Sequence, residues 1–127
     1  MKICKVYRFE AAHQLAGWPP EHQCSKLHGH TYRVEVELEG APRMDGTTPG
    51  AIIDFGRISE IWNDQVHRMV DHTNLNESTG LRWTTAEALS VWIHGRMSRF
   101  LRVSRVRVWE TETGYAEYFG GAEGKAG

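Results

Sequence analysis

Apolar and polar residues alternate along two stretches near the N-terminus, with the period of an extended strand. In residues 2–12 one side of the alternation is apolar: Ile3, Tyr7, Phe9 and Ala11. In residues 29–39 valine and leucine alternate with glutamate, so the two stretches predict strands one and two. Glycine and prolines between them indicate a long loop, and we expect the two strands to pair around it.

Two stretches in the middle of the chain have the spacing of amphipathic helices. The first follows Asp54, a suitable N-cap, and ends near Asp71. Its apolar stripe is Ile58, Ile61, Trp62, Val66, Met69 and Val70. The second begins at Thr84, which together with Glu87 matches a capping box. Its apolar stripe is Ala86, Leu89, Ile93, Met97, Phe100 and Leu101.

Two further strands are predicted after the helices, at residues 103–111 and 115–119. The order of two strands, two helices and two strands indicates the α+β class, with a four-stranded antiparallel sheet and both helices on one face. Residues 1–119 are therefore expected to form a single domain. The glycine-rich residues 120–127 are predicted to be a flexible tail.

The composition argues against several classes of partner. The chain has 127 residues and a net charge of −1, so no basic excess indicates nucleic acid or a membrane surface. No apolar run approaches the roughly 20 residues that a membrane-spanning helix needs. The N-terminus begins a strand and lacks the apolar region of a signal peptide. We therefore expect a cytoplasmic protein in which Cys4 and Cys24 are free thiols.

Three histidines have the spacing of a metal site. His28 and His30 project from the same side of strand two because they are two residues apart. His13 projects from the same side of strand one as the apolar residues, so it lies beside His28 and His30 if the two strands pair. Three imidazole nitrogens with one open position are typical of a catalytic zinc site. Cys24 is either a fourth, closing ligand or a thiolate that acts beside the metal.

Two acidic positions also have candidate chemistry. Glu110 shares the parity of Val106 and Val108, so its carboxylate is expected on an apolar face, where it requires a partner. That partner is either an arginine or a flat heterocycle with an amidine-like edge, such as guanine or pterin. Asp71 and His72 form either a polar turn at the end of the first helix or a pair for proton transfer.

Six motifs occur in this order along the chain: Phe9-Glu-Ala-Ala-His13, Cys24-x3-His28-Gly-His30, Ile53-Asp-Phe-Gly56, Val70-Asp-His-Thr-Asn-Leu75, Thr85-Ala-Glu87 and Glu110-Thr111. Together they resemble the 6-pyruvoyltetrahydropterin synthase/6-carboxytetrahydropterin synthase family, over about residues 2–119. The short gap between Cys24 and His28 is similar to the bacterial 6-carboxytetrahydropterin synthase branch. Thr84 stands where the family usually has proline, and it can still cap the helix.

The resemblance implies a fold and a set of roles. The fold would be the tunnelling fold, in which subunits join their sheets into a barrel, commonly as a hexamer of two stacked trimers with active sites at subunit interfaces. By resemblance, the residues that bind Zn²⁺ are His13, His28 and His30. Cys24 would be the general base, Asp71 and His72 the second proton-transfer pair, Glu110 the pterin anchor and Thr85 a backbone contact to the pterin edge.

The implied substrate is 7,8-dihydroneopterin triphosphate. In the carboxy branch it yields 6-carboxy-5,6,7,8-tetrahydropterin, acetaldehyde and triphosphate, and the product leads to 7-deazaguanine and queuosine. Two alternatives stay open: a 6-pyruvoyl synthase that only eliminates triphosphate, and a non-catalytic zinc- or pterin-binding protein. The sequence does not rank Lys26, Arg33 and Arg82 as candidates for the triphosphate site.

Overall fold

A five-stranded sheet forms the frame of the protein in a computed structural model that describes residues 1–121. Its strands are β1 (Lys2–His13), β2 (His28–Glu39), β3 (Thr73–Asn74), β4 (Val103–Trp109) and β5 (Tyr115–Tyr118). The order across the sheet is β3-β1-β2-β4-β5, and all pairs are antiparallel except β3 with β1. The α+β class is confirmed. The predicted tail, residues 120–127, lies largely outside the described residues.

The number of strands differs from the prediction because β3 was missed. This strand has two residues and runs parallel to the end of β1, where Ala11 pairs with Thr73. Two residues are too few to show a period. The predicted pairing of strands one and two is confirmed over their full length, from Lys2 opposite Glu39 to His13 opposite His28.

The helical segments are α1 (Phe55–Trp62), a π-helical turn (Asn63–His67), α2 (Arg68–Val70), α3 (Leu75–Ser78) and α4 (Ala86–Met97), with a short 3₁₀ helix at Gln23–Ser25. The first predicted helix corresponds to the continuous run of α1, the π-helical turn and α2. Its predicted cap is confirmed, because Oδ1 of Asp54 accepts a hydrogen bond from Gly56 N at 2.9 Å.

The start and end of α4 differ from the prediction. Its N-cap is Thr85, whose hydroxyl accepts a hydrogen bond from Ala88 N at 3.2 Å, so the predicted cap, Thr84, is wrong by one residue. Thr84 is fully buried and contacts His13 instead. The helix ends at Met97, and Phe100, which we placed on its apolar stripe, is 56% exposed.

The core lies between the helices and one face of the sheet. We call this face of the sheet the helix face. Trp62 of α1 stacks on Tyr7 with ring centroids 4.5 Å apart, and Phe9 stacks on Tyr32 at 4.9 Å. The opposite face, the polar face, has the glutamates and arginines of β2 and β4. Alternation along each strand therefore separates an apolar core from a charged surface. Within residues 1–121, no helix is both long enough and apolar enough to cross a membrane.

Candidate active site

Strand register brings three histidines together where β1 ends and β2 begins. His13 is directly opposite His28, and His30 is opposite Ala11. Because these positions share the parity of the helix face, their rings cluster there. Ring centroids lie 4.6 Å apart for His13 and His28, 5.1 Å for His13 and His30, and 4.8 Å for His28 and His30. The predicted convergence of the three rings is confirmed.

Hydrogen bonds to backbone carbonyls fix the tautomers of two of these histidines. Nδ1 of His13 lies 2.9 Å from the carbonyl oxygen of Thr84, and Nδ1 of His28 lies 2.7 Å from that of Lys26. A carbonyl only accepts, so each Nδ1 has the proton and each Nε2 has a lone pair. The two Nε2 atoms face each other at 3.0 Å. Two lone pairs at this distance repel each other unless a cation or a proton lies between them.

Glu110 joins the histidines. Its Oε1 lies 3.3 Å from Nε2 of His13 and 3.0 Å from Nε2 of His30, so its partners are histidines and not an arginine. The contact with His30 is not a hydrogen bond, and its buried Nε2 has no hydrogen-bond partner in the described residues. When His13 is protonated at Nε2, its contact holds the pKa of the Glu110 carboxyl below its ordinary value, and burial lowers the pKa of His30.

These donor atoms fit a metal ion. One ligand atom from each of His13, His28, His30 and Glu110 lies within 4.8 Å of the others. Neutral imidazole nitrogens with Nδ1 held by a carbonyl are the usual form of zinc-binding histidine. In the described part of the chain, Cys24 is not a member of this group. The geometry therefore supports the three histidines as ligands, with the Glu110 carboxylate in reach of the same ion, more than a site closed by Cys24.

Cys24 lines a cleft next to the cluster, on the 3₁₀ helix. Its position is fixed by its own backbone, because Cys24 N donates to Nδ1 of His22 at 3.1 Å and the carbonyl of Cys24 accepts from Leu15 N at 3.0 Å. The cleft has a volume of about 480 Å³ and brings Cys24, Thr85 and Glu110 to one space. Three of the predicted site residues therefore share a cleft large enough for a bicyclic ring.

His72 lines a different cleft. Both members of the Asp71–His72 pair are bonded to the backbone of Glu10, since Glu10 N donates to the side-chain Oδ1 of Asp71 at 3.1 Å and His72 N donates to the carbonyl of Glu10 at 2.6 Å. Nε2 of His72 lies 3.6 Å from the Glu10 carboxylate. The side chain of Glu10 is on the polar face, opposite the histidine cluster. The second cleft, of about 570 Å³, is bordered by Glu10, His72, Gly29 and Thr31, and also by His30 of the histidine cluster.

Comparison with known proteins identifies the family. The model of the 6-pyruvoyl tetrahydropterin synthase family matches residues 2–121. The chain belongs to this family. It is 35% identical to the 6-carboxy-5,6,7,8-tetrahydropterin synthase of Synechocystis over 92% of each chain, and 31% identical to the dihydroneopterin monophosphate aldolase of Pyrococcus furiosus over 87% of this chain and 91% of the relative.

Comparison with solved structures agrees with this family assignment. The structure of the Caenorhabditis elegans 6-pyruvoyl tetrahydropterin synthase superposes with a TM-score of 0.81, covering 95% of this chain and 96% of that chain at 22% identity. This likeness shows the fold of the family and extends over nearly all of the described residues. The sequence resemblance to the family is therefore confirmed, and the protein is a pterin synthase of this family.

In this family member the Asp71–His72 pair is electrostatically coupled. The hydrogen bond from Glu10 N, followed by that from His72, holds the pKa of the Asp71 carboxyl below its ordinary value. Oδ2 of Asp71 lies 2.9 Å from Nδ1 of His72, and this contact raises the pKa of His72. His72 also has a φ of 57°, in the left-handed region. The backbone bonds to Glu10 hold this unfavourable conformation.

Sequence reasoning missed one neighbour of this pair. Nε2 of His67 lies 3.4 Å from Oδ2 of Asp71, and no role was predicted for His67 from the sequence. The two residues are four apart at the end of a helix, a spacing that places side chains side by side, and this signal was available. The Asp71 carboxylate therefore lies between the rings of His67 and His72 and also accepts a hydrogen bond from the backbone of Glu10.

Proposed function

We propose that this family member is a zinc-dependent carbon–carbon lyase. It converts 7,8-dihydroneopterin triphosphate and water to 6-carboxy-5,6,7,8-tetrahydropterin, acetaldehyde and triphosphate, in cytoplasmic 7-deazaguanine (queuosine) synthesis. The observation that supports it most is the pair of Nε2 lone pairs of His13 and His28 that face each other beside Nε2 of His30. The name of the Synechocystis relative and the short gap between Cys24 and His28 support the carboxy branch.

Each residue has a role that its position supports. Zn²⁺ held by His13, His28 and His30 would supply Lewis-acid polarisation of the substrate's side-chain oxygens. Glu110, at the junction of the cluster and the 480 Å³ cleft, accepts two N–H bonds from the pterin edge. The backbone of Thr85 contacts the same edge. Cys24 removes a proton from the substrate side chain in this cleft as general base.

The second proton-transfer pair acts in the site of a neighbouring copy. Cys24 opens to the cleft beside the cluster, whereas His72 contacts Glu10 on the polar face. In the described chain the two groups border different clefts, so a substrate bound beside Cys24 is not placed against His72 of the same chain. We infer that a second copy supplies Asp71 and His72 to this cleft, in a hexamer of two trimers. Assembly also covers the edges of a small sheet, which otherwise favour aggregation.

The test of the reaction is turnover of 7,8-dihydroneopterin triphosphate by zinc-loaded protein, with acetaldehyde and pterin mass followed together. We expect acetaldehyde and a carboxylated pterin. The variant Cys24→Ala should retain zinc and lose turnover by about 10²- to 10⁴-fold. Cys4→Ala is the matched control, because Cys4 is an exposed cysteine elsewhere.

Four outcomes would contradict the proposal. Triphosphate release without acetaldehyde would indicate a 6-pyruvoyl synthase. Activity on the monophosphate alone would indicate an aldolase like that of Pyrococcus furiosus. Loss of zinc together with loss of turnover in Cys24→Ala would make Cys24 a ligand, and no consumption of substrate by zinc-loaded protein would favour a binding protein.

Exchange of subunits tests the shared site. We expect Cys24→Ala and His72→Ala to be inactive alone and to regain activity when the two variants are dissociated and reassembled together. Some mixed interfaces then combine an intact Cys24 with an intact His72. Reassembly of His72→Ala with the double variant is the control, since no interface then has both groups. Failure to regain activity in assembled mixtures would place both groups in one chain.

A further inference from the structure

Two arginines lie directly opposite each other on the polar face of the sheet. Arg8 of β1 is the register partner of Arg33 of β2. Both side chains are exposed. Like charges at opposed positions of an antiparallel pair destabilise a sheet, so this arrangement is unfavourable unless an anion offsets it.

The protein's own carboxylates do not neutralise this pair. Elsewhere on the same face, Arg105 lies 2.9 Å from Glu37, and Arg107 lies 2.8 Å from Glu117. Within residues 1–121, no carboxylate oxygen lies within 4.0 Å of a guanidinium nitrogen of Arg8 or Arg33. The face therefore has two paired arginines and, beside them, two with no carboxylate partner in the described chain.

The unpaired arginines border a small pocket. Its volume is about 220 Å³, and its lining is Arg8, Thr31, Arg33, Trp109, Thr111 and Glu112. The hydroxyl of Thr111 can donate to the same ligand as the two guanidinium groups. Glu112 is a single exposed carboxylate on this lining, so the arginines outnumber it. The donors and the charge of the pocket match an oxyanion of phosphate size.

One of the two guanidinium groups is positioned in advance. Cζ of Arg33 lies 5.5 Å from the ring centroid of Trp109. The indole Nε1 of Trp109 donates to Glu35 at 2.7 Å, and its ring packs on Tyr115 at 4.5 Å. A cation–π contact with a fixed ring restricts the arginine. Less conformational entropy is then lost when an anion binds.

The pocket adjoins the cleft of His72. Thr31 lines both spaces, and its hydroxyl donates to Glu10, the residue that contacts His72. An anion at the arginines is therefore two residues along the strands from the Glu10–Thr31 pair that borders the proposed proton-transfer group. A substrate that reaches His72 with its side chain can extend a charged chain to Arg8 and Arg33.

We propose that Arg8 and Arg33 form a polyphosphate site that binds the triphosphate chain of the substrate. This inference rests on the proposed function, since it takes the substrate to be a pterin with a triphosphate. In the shared site, the chain that supplies His72 also supplies the two arginines. The same chemistry suits free inorganic tripolyphosphate, which is both the released product and a direct probe.

Binding of inorganic tripolyphosphate, measured by calorimetry on the assembled zinc-loaded protein, tests the site without turnover. We expect the double variant Arg8→Gln/Arg33→Gln to bind it about 10- to 100-fold more weakly, because charged hydrogen bonds are lost. Arg43→Gln is the matched control, an exposed arginine in the loop before α1. Arg82→Gln tests the competing candidate, which stacks on Trp83 as Arg33 does on Trp109.

Unchanged binding in the double variant would overturn the inference, as would an equal loss in Arg82→Gln. Kinetic measurements distinguish the triphosphate chain of the substrate from free inorganic tripolyphosphate as the anion that the site binds. We expect the double variant to raise KM for the triphosphate substrate while its affinity for 7,8-dihydroneopterin, which lacks phosphate, stays the same. Weakened tripolyphosphate binding with an unchanged KM would overturn the assignment to the substrate. Absence of turnover in the wild type would contradict the proposed function and leave the calorimetric result to decide on the site.

Discussion

The orientation of single side chains decides what the histidine cluster can do. A carbonyl on Nδ1 of His13 and of His28 directs both Nε2 lone pairs to the same point. For His13 the carbonyl belongs to Thr84, the residue next to the N-cap of α4. A proline at this position would keep the carbonyl and lose only the hydroxyl contact of 3.2 Å to His13. The departure of Thr84 from the family pattern therefore preserves the contact that fixes the tautomer of His13.

We expect Asp71→Asn to lower the pKa of His72. The carboxylate of Asp71 stabilises the protonated ring and raises its pKa above the ordinary value of 6.5, so the neutral amide removes this effect. His72 then loses its proton at a lower pH, and any activity that requires protonated His72 falls off at a lower pH. NMR titration of the ring protons of His72 measures the change.

Asp45→Asn, in an exposed loop, is the control for the loss of one negative charge. The charged groups that face His72 in the structure are Asp71 and Glu10. If the pKa of His72 is the same in Asp71→Asn as in the wild type, the proposed coupling of the pair is wrong.

Helix ends and a helical irregularity position the catalytic candidates. The π-helical turn at Asn63–His67 precedes Asp71, and Arg96 of α4 donates to the carbonyl of Gln65 within it. Such turns insert one extra residue into a helix and are frequent at functional sites. Here the turn sets the rotation of the last helical residues, which places His67 against Asp71.

The cap of α1 should contribute measurably to stability. We expect Asp54→Ala to lower the free energy of unfolding by about 1 kcal/mol, because Gly56 N loses its acceptor. The denaturant midpoint, at an unchanged slope, measures the effect. Asp45→Ala removes an exposed aspartate that caps no helix and should change the midpoint little. Equal midpoints for the two variants would contradict the role of Asp54 as a cap.

In the molecule as a whole, the sheet separates two kinds of chemistry. The helix face holds the apolar core and the histidine cluster, and the polar face holds the ion pairs of β2, β4 and β5. The Asp71–His72 pair lies at the edge of the sheet beside β1. The most buried ion pair is between Glu37, 7% exposed, and Arg105, 9% exposed. Ser104 also donates to the Glu37 carboxylate at 2.9 Å. A buried carboxylate with these partners is costly to disrupt on one side only.

We expect Glu37→Ala to destabilise the protein by about 3 kcal/mol, since Arg105 is left buried without its partner. Glu60→Ala, which breaks an exposed pair with Arg57, should cost less than about 1 kcal/mol. Urea unfolding of the two variants at neutral pH makes the comparison. A similar loss of unfolding free energy in both variants would mean that burial does not increase the contribution of the Glu37–Arg105 pair to stability.

The Glu37–Arg105 pair also makes the free energy of unfolding depend on pH. Burial raises the pKa of Glu37, but the hydrogen bonds from Arg105 and Ser104 outweigh it and hold the pKa below the ordinary 4.5. The contribution of the pair is therefore complete above the ordinary value and is lost as the pH falls through the folded-state pKa. The difference in unfolding free energy between wild type and Glu37→Ala should narrow on acidification, and a constant difference would contradict this.

Local patterns in the sequence predicted the elements and much of the site. Alternation in β1 and β2 fixed which side chains share a face, so the convergence of His13, His28 and His30 followed once the two strands paired. The period of an element is set by nearest-neighbour backbone geometry, and it can be read from a few consecutive residues. The same reasoning placed Glu110 on the helix face and indicated that its carboxylate required a partner.

Contacts between distant segments required the tertiary structure. The two-residue strand β3, the contact of Thr84 with His13 and the contact of Glu110 with the histidines depend on loops whose paths no period encodes. The placement of Cys24 and His72 in different clefts is of the same kind. Side-chain direction is a local property of the backbone, whereas the meeting of two segments depends on the packing of the entire core.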